Sequence, residues 1–250
     1  MEKIELTKKE QAARDMLCLP LDMDDRGEII ETVDELKDLV GWFKLNYAYS
    51  VFGPEIAGDL KKKGVKIFLD LKFHDIPNTV AGYARAATRL GIDMFNVHTT
   101  GTIAMMEAAL LAAEEEAEKM CAARPKIIGV TILTSIDRDS MNRELGIPGA
   151  VEENVLRLAK IACDVGLDGV VCSAADLAHI KSRLPEEFMY VTPGIKGITT
   201  PAGKDQKRVF SPANAVAAGS SMLVVGRAIL NAENRRKAAY EILQDMAKEL

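Results

Sequence analysis

Val65-Lys66-Ile67-Phe68-Leu69-Asp70-Leu71-Lys72-Phe73-His74-Asp75-Ile76-Pro77-Asn78-Thr79 joins an apolar run to a charged tip and leads into an amphipathic stretch over residues 78–90. Read as a strand over 65–71 followed by a helix, it is one βα unit. A strand that is apolar nearly throughout is buried on both faces, which points to parallel pairing through helical crossovers. Side chains alternate along a strand, so the spacing predicts Asp70 and Lys72 on one face and Leu69, Leu71 and Phe73 on the other. Charges at a buried strand tip are costly unless they neutralise each other or serve a ligand. For an isolated D-x-K, an ion pair with no further role is the plain alternative.

The unit recurs along the chain. Apolar runs at 17–21, 42–45, 94–97, 127–132, 169–172, 188–191 and 222–225 bring the candidate strands to eight, and amphipathic patterns at 28–40, 54–63, 102–123, 151–165, 212–218 and 234–250 lie between or after them. Eight repeats in 250 residues, with no Pro/Gly/Ser-rich linker, predict an α/β chain folded as a single (β/α)8 TIM barrel over residues 1–250. A doubly wound sheet would carry G-x-G-x-x-G after its first strand, whereas here Leu21-Asp22-Met23-Asp24-Asp25 follows.

Composition narrows the function. At 48% hydrophobic and 28% charged residues, the chain reads as an ordinary globular protein. Its net charge of −5, with lysine and arginine scattered, argues against a nucleic-acid partner. Cys18, Cys121, Cys163 and Cys172 show no zinc-site spacing and are expected to be small buried hydrophobes in a reducing compartment. Residues 1–15 lack the apolar core of a signal peptide, and no run approaches the roughly 18 apolar residues of a membrane span. Cytoplasmic residence without membrane attachment is the expectation. Glu114-Glu115-Glu116 reads as a solvated helix face.

Active sites of this fold gather at the carboxyl ends of the strands. The residues there are Asp22, Lys44, Asp70 with Lys72, His98, Thr131 and Thr134, Ser173, Pro193 with Gly194, and Gly226 with Arg227. Each has a structural alternative: Asp22 or Ser173 as a helix cap, His98 as a core histidine. The loops after strands seven and eight suit phosphate, since glycines admit the anion to backbone N–H groups and Arg227 can fork two hydrogen bonds to it. The polar stretch 195–209 reads as a lid or as a surface loop. Two lysines and two carboxylates, with no cysteine nucleophile or histidine-rich metal set, favour chemistry by fixed charge and proton transfer. Flanking carboxylates should keep Lys72 protonated, an acid ready to quench a carbanion.

These residues resemble the orotidine 5′-phosphate decarboxylase family, in its bacterial form. The similarity runs through Leu19-Pro20-Leu21-Asp22, Phe43-Lys44, Phe52-Gly53-Pro54-Glu55, the signature Asp70 to Thr79, Val130-Thr131-Ile132-Leu133-Thr134-Ser135, Val191-Thr192-Pro193-Gly194-Ile195, Asp205-Gln206 and Val224-Val225-Gly226-Arg227. The resemblance implies decarboxylation of orotidine 5′-monophosphate to UMP with no metal and no cofactor, and Lys72 as the proton donor to C6. It implies an alternating network of Lys44, Asp70, Lys72 and Asp75, with Asp75 and Thr79 reaching a neighbouring subunit's site in a homodimer. Asp22 and Lys44 would hold ribose hydroxyls, Thr134 the pyrimidine amide edge, and Gln206, Gly226 and Arg227 the phosphate. Lys196 stands where bacterial relatives usually carry Arg, which keeps the charge but loses the planar fork. Residues 45–49 also depart from the bacterial pattern. The alternatives are a magnesium-dependent sugar-phosphate decarboxylase or synthase of the same superfamily, a Schiff-base aldolase using Lys44 or Lys72, and a non-catalytic phosphate-ligand sensor.

Overall fold

Eight parallel strands follow one another around a closed barrel in chain order: β1 (Leu17–Pro20), β2 (Trp42–Leu45), β3 (Lys66–Phe73), β4 (Met94–His98), β5 (Lys126–Val130), β6 (Gly169–Val171), β7 (Met189–Thr192) and β8 (Met222–Val224). Leu17 and Cys18 of β1 pair with Leu223 and Val224 of β8, and this closes the sheet. The computed structural model describes residues 4–196 and 210–250. The (β/α)8 architecture expected from the repeat is the one observed.

Helices pack outside the strands. They are α1 (Lys8–Met16), α2 (Arg26–Leu36), α3 (Tyr47–Phe52), α4 (Glu55–Lys62), α5 (Pro77–Arg89), α6 (Ile103–Lys119), α7 (Arg138–Arg143), α8 (Val151–Val165), α9 (Leu177–Ile180), α10 (Pro212–Ala218), α11 (Arg227–Leu230) and α12 (Arg235–Met246). The periodicity missed α1, α3, α7, α9 and α11, which are short or mostly polar. A reciprocal cap starts α1: the Glu10 N–H donates to Thr7 Oγ1 at 3.3 Å, and the Thr7 N–H donates to Glu10 Oε2 at 2.8 Å. Asp25, not Asp22, caps α2 by accepting the Glu28 N–H at 2.7 Å, which leaves Asp22 available to the barrel mouth.

Strand alternation divides the core in two. Cys18, Trp42, Phe68, Met94, Ile128, Val191 and Met222 fill the barrel interior, while Leu19, Phe43, Ile67, Phe95, Ile127, Val170 and Leu223 join the larger core under the helices. At the amino ends of the strands, Asp93 accepts the Ile67 N–H and pairs with Lys61, and Asp168 accepts the Ile127 N–H and pairs with Arg124. Each carboxylate ties a strand start to a neighbouring element.

Three expectations need correction. β3 is not regular to its tip: Leu69 pairs with Phe95 and Phe73 with Val97, so Asp70, Leu71 and Lys72 stand opposite Asn96 alone. Lys72 takes φ +52° there, a left-handed backbone that non-glycine residues rarely adopt. Cys121 is exposed, because it lies just past the end of α6, while Cys18 and Cys172 are buried. Glu116 is buried rather than solvated, since the Arg89 guanidinium of α5 reaches both of its oxygens, at 2.6 and 3.2 Å.

Candidate active site

The irregular end of β3 brings charges together. Lys44 at position three of β2 faces the barrel interior and sets its Nζ 2.9 Å from Asp70 Oδ2, while Lys72 Nζ lies 2.8 Å from Asp70 Oδ1. Asn96 Nδ2 donates to the same Oδ1 at 2.6 Å, and Asn46 Nδ2 lies 3.4 Å from Oδ2. One carboxylate thus meets two ammonium groups and a buried amide. The Lys44 and Asp70 side chains are only 9% and 11% exposed, so desolvation is severe and the ion pairs must offset it. Burial pushes the Asp70 carboxyl up, but the charges of Lys44 and Lys72 together outweigh it and hold the group below the usual carboxylate range. Burial likewise lowers the Lys44 ammonium, and Asp70 followed by Asp22 holds it above its ordinary value. Asp70 is an anion and Lys44 a cation at neutral pH.

The network forms one wall of a cavity of about 520 Å³ at the carboxyl ends of the strands. Asp22 after β1, Thr134 after β5, and Gly226 with Arg227 after β8 line the same space, as do Pro193, Gly194 and Lys196. Gly226 is required by close approach: a Cβ there would stand 2.8 Å from Pro20 Cγ. Apolar side chains such as Phe68, Val171 and Val191 share the lining with Lys44, Lys72, Lys196 and Arg227, a set that suits a small anionic ligand with some apolar surface.

Other strand-end candidates have different duties. Thr131 Oγ1 donates to the Val171 carbonyl at 2.8 Å, and the Ser173 N–H donates to Asp176 Oδ2 at 2.9 Å. His98 stacks near His74, with ring centres 5.2 Å apart, and its pKa is lowered to about 4 by burial, then by His74 and Lys72. Asp75 is exposed on the loop before α5, where its carboxylate accepts the Ile76 N–H at 2.7 Å. It makes no ion pair with Lys44 or Lys72 of its own chain, and Thr79, in the first turn of α5, does not line the cavity. Gln206 and most of the expected lid fall within 197–209, outside the described residues.

A model of the orotidine 5′-phosphate decarboxylase / HUMPS family matches residues 15–242. The chain belongs to this family. Among similar proteins, the orotidine 5′-phosphate decarboxylase of Moorella thermoacetica is 44% identical over 238 residues, covering 94% of this chain and 93% of the relative. That of Syntrophus aciditrophicus is 41% identical over 246 residues and 98% of both chains. The crystal structure of orotidine 5′-phosphate decarboxylase from Lactobacillus acidophilus superposes with a TM-score of 0.80 at 33% identity, covering 92% of this chain and 98% of that one.

For a member of the orotidine 5′-phosphate decarboxylase / HUMPS family, the D-L-K signature, Lys44 and the strand-end residues Asp22, Thr134, Gly226 and Arg227 were legible parts of the site. Asn96 was not. Its signal is an amide in the middle of Met94-Phe95-Asn96-Val97-His98, where a fully buried polar side chain must find partners.

Proposed function

We propose that this chain decarboxylates orotidine 5′-monophosphate to UMP and carbon dioxide, the last step of de novo pyrimidine synthesis, with no metal or cofactor. One observation carries it: in a member of this family, Asp70 is held between Lys44 and Lys72 on the wall of a cavity of about 520 Å³, roomy enough for a nucleotide, that Lys196 and Arg227 also line. The C6–carboxylate bond breaks, its electron pair stays on C6, and a proton from Lys72 Nζ takes the vacated position. Lys72 stabilises charge that exists only as the bond breaks, and that difference between ground and transition state accelerates the reaction. Asp70 keeps the Lys72 ammonium in place and repels the substrate carboxylate. Asp22 and Lys44 take the ribose hydroxyls, Thr134 the pyrimidine edge, and Gln206, Gly226 and Arg227 the phosphate.

The working unit on this reading is a homodimer, in which Asp75 and Thr79 complete the partner's site. Ile76 is 66% exposed beside Asp75, and Tyr47, Val51, Tyr83 and Ile103 are exposed on the segments that follow β2, β3 and β4, and these exposed apolar side chains support contact with a second copy. The location that goes with this activity is the cytoplasm.

A magnesium-dependent rival needs Asp70 oxygens for the ion, yet those oxygens already meet two lysines and Asn96. Purified chain should consume orotidine 5′-monophosphate, seen as loss of orotate absorbance, equally well with and without EDTA. Lys72→Ala should cut turnover by at least about 100-fold while circular dichroism stays unchanged. A folded, active Lys72→Ala protein would overturn the assignment.

A further inference from the structure

We propose that Asn96 is a positioning residue for the decarboxylation, holding Asp70 and Lys72 in register through the two ends of its amide; this rests on the function proposed above. Asn96 is fully buried in the centre of β4, on the face that Met94 turns to the barrel interior. It stands opposite three residues of β3, because the ladder skips from Leu69–Phe95 to Phe73–Val97. A gap of that kind leaves backbone groups of the bulged strand without their ladder partners. The Asn96 side chain takes up that role. Its Oδ1 accepts the Lys72 backbone N–H at 2.8 Å, and its Nδ2 donates to Asp70 Oδ1 at 2.6 Å.

The orientation of the amide follows from the partners. A backbone N–H can only donate and a carboxylate can only accept, so the oxygen must face Lys72 and the nitrogen Asp70. One planar group therefore fixes the main chain of the proton donor, at the left-handed φ +52°, and the carboxylate that holds the donor's ammonium 2.8 Å away. Without it the Lys72 N–H loses its acceptor and nothing holds the left-handed backbone there, so the main chain can relax and shift the ammonium relative to the reacting carbon. A displacement of about 1 Å at a reacting group costs on the order of 100-fold in rate. Asn96 touches no substrate in this arrangement and does not line the cavity; it acts through its two neighbours.

The test compares Asn96→Ala, Asn96→Ser and Asn96→Asp in the full chain, with kcat and KM for orotidine 5′-monophosphate, UMP affinity and thermal midpoint measured for each. Asn96→Ala should lower kcat by on the order of 100-fold while KM and UMP affinity change little. Asn96→Ser, whose hydroxyl both donates and accepts, should recover part of that loss. Asn96→Asp keeps the acceptor but sets a second carboxylate against Asp70, so it should be nearly inactive at about pH 8 and regain activity toward about pH 6 as the added carboxyl takes a proton and becomes a donor. The unmutated chain should show no such gain on acidification. A kcat for Asn96→Ala near that of the unmutated chain, or parallel loss of UMP binding and thermal stability in all three variants without the acid recovery, would overturn the proposal. Failure of the unmutated chain to consume the substrate would instead overturn the function on which it rests.

Discussion

Around Asp70 the sequence was readable to the extent that alternation alone puts two lysines and a carboxylate on the inner side of the barrel. Lys44, Asp70 and Lys72 do converge, but Lys72 arrives there through a bulge and a left-handed backbone, which no pattern of apolar residues encodes. Asp75 could not be placed from one chain, since its carboxylate reaches only its own loop. His98 offers a test at this scale. Its neighbours are His74, Lys72 and Asp70, and burial with the first two keeps the ring neutral down to about pH 4, against about 6.5 in an unfolded chain. Between those values the unfolded chain binds a proton that the folded one refuses, so stability is full above about pH 6.5 and falls as pH drops toward 4. For a partly exposed ring, solvent screening reduces the loss to on the order of 1–2 kcal/mol. Denaturant titrations at pH 7 and pH 5 should show it, and His98→Asn should flatten that part of the pH dependence.

Among the elements, the eight strands were legible because buried parallel strands are apolar runs, and the long helices because their inward faces repeat every three to four residues. Short helices such as α7 and α9 present too few turns for periodicity, and only a cap such as Asp137 before α7, which accepts the Ser140 N–H at 2.9 Å, betrays them. The boundary between β6 and β7 depends on a residue with no side chain. At Gly169 an added Cβ would run into the Met189 backbone carbonyl, which a side-chain rotation cannot relieve. Gly169→Ala should therefore force the two strands apart and destabilise the barrel by about 1–3 kcal/mol. A fall of several degrees in thermal midpoint is the expected result, and an unchanged midpoint would mean that β6 shifts freely against β7.

At the scale of the whole molecule, the barrel was predictable from its period, whereas the homodimer rests on the family resemblance and stands as a proposal, because a contact between copies is written in exposed side chains rather than in a period. Ile76 is the most exposed of the large apolar residues described, and it adjoins the carboxylate assigned to the partner's site. Ile76→Asp should lower the sedimenting mass toward that of a single chain, and kcat/KM should fall with it. A monomer of undiminished activity would show that each site is complete within one chain. The seven interior side chains from Cys18 to Met222 make the floor of the cavity an apolar plug. On the proposed reaction, carbon dioxide released above that plug leaves by the mouth of the barrel, so the same doorway that admits the reactant governs the departure of both products.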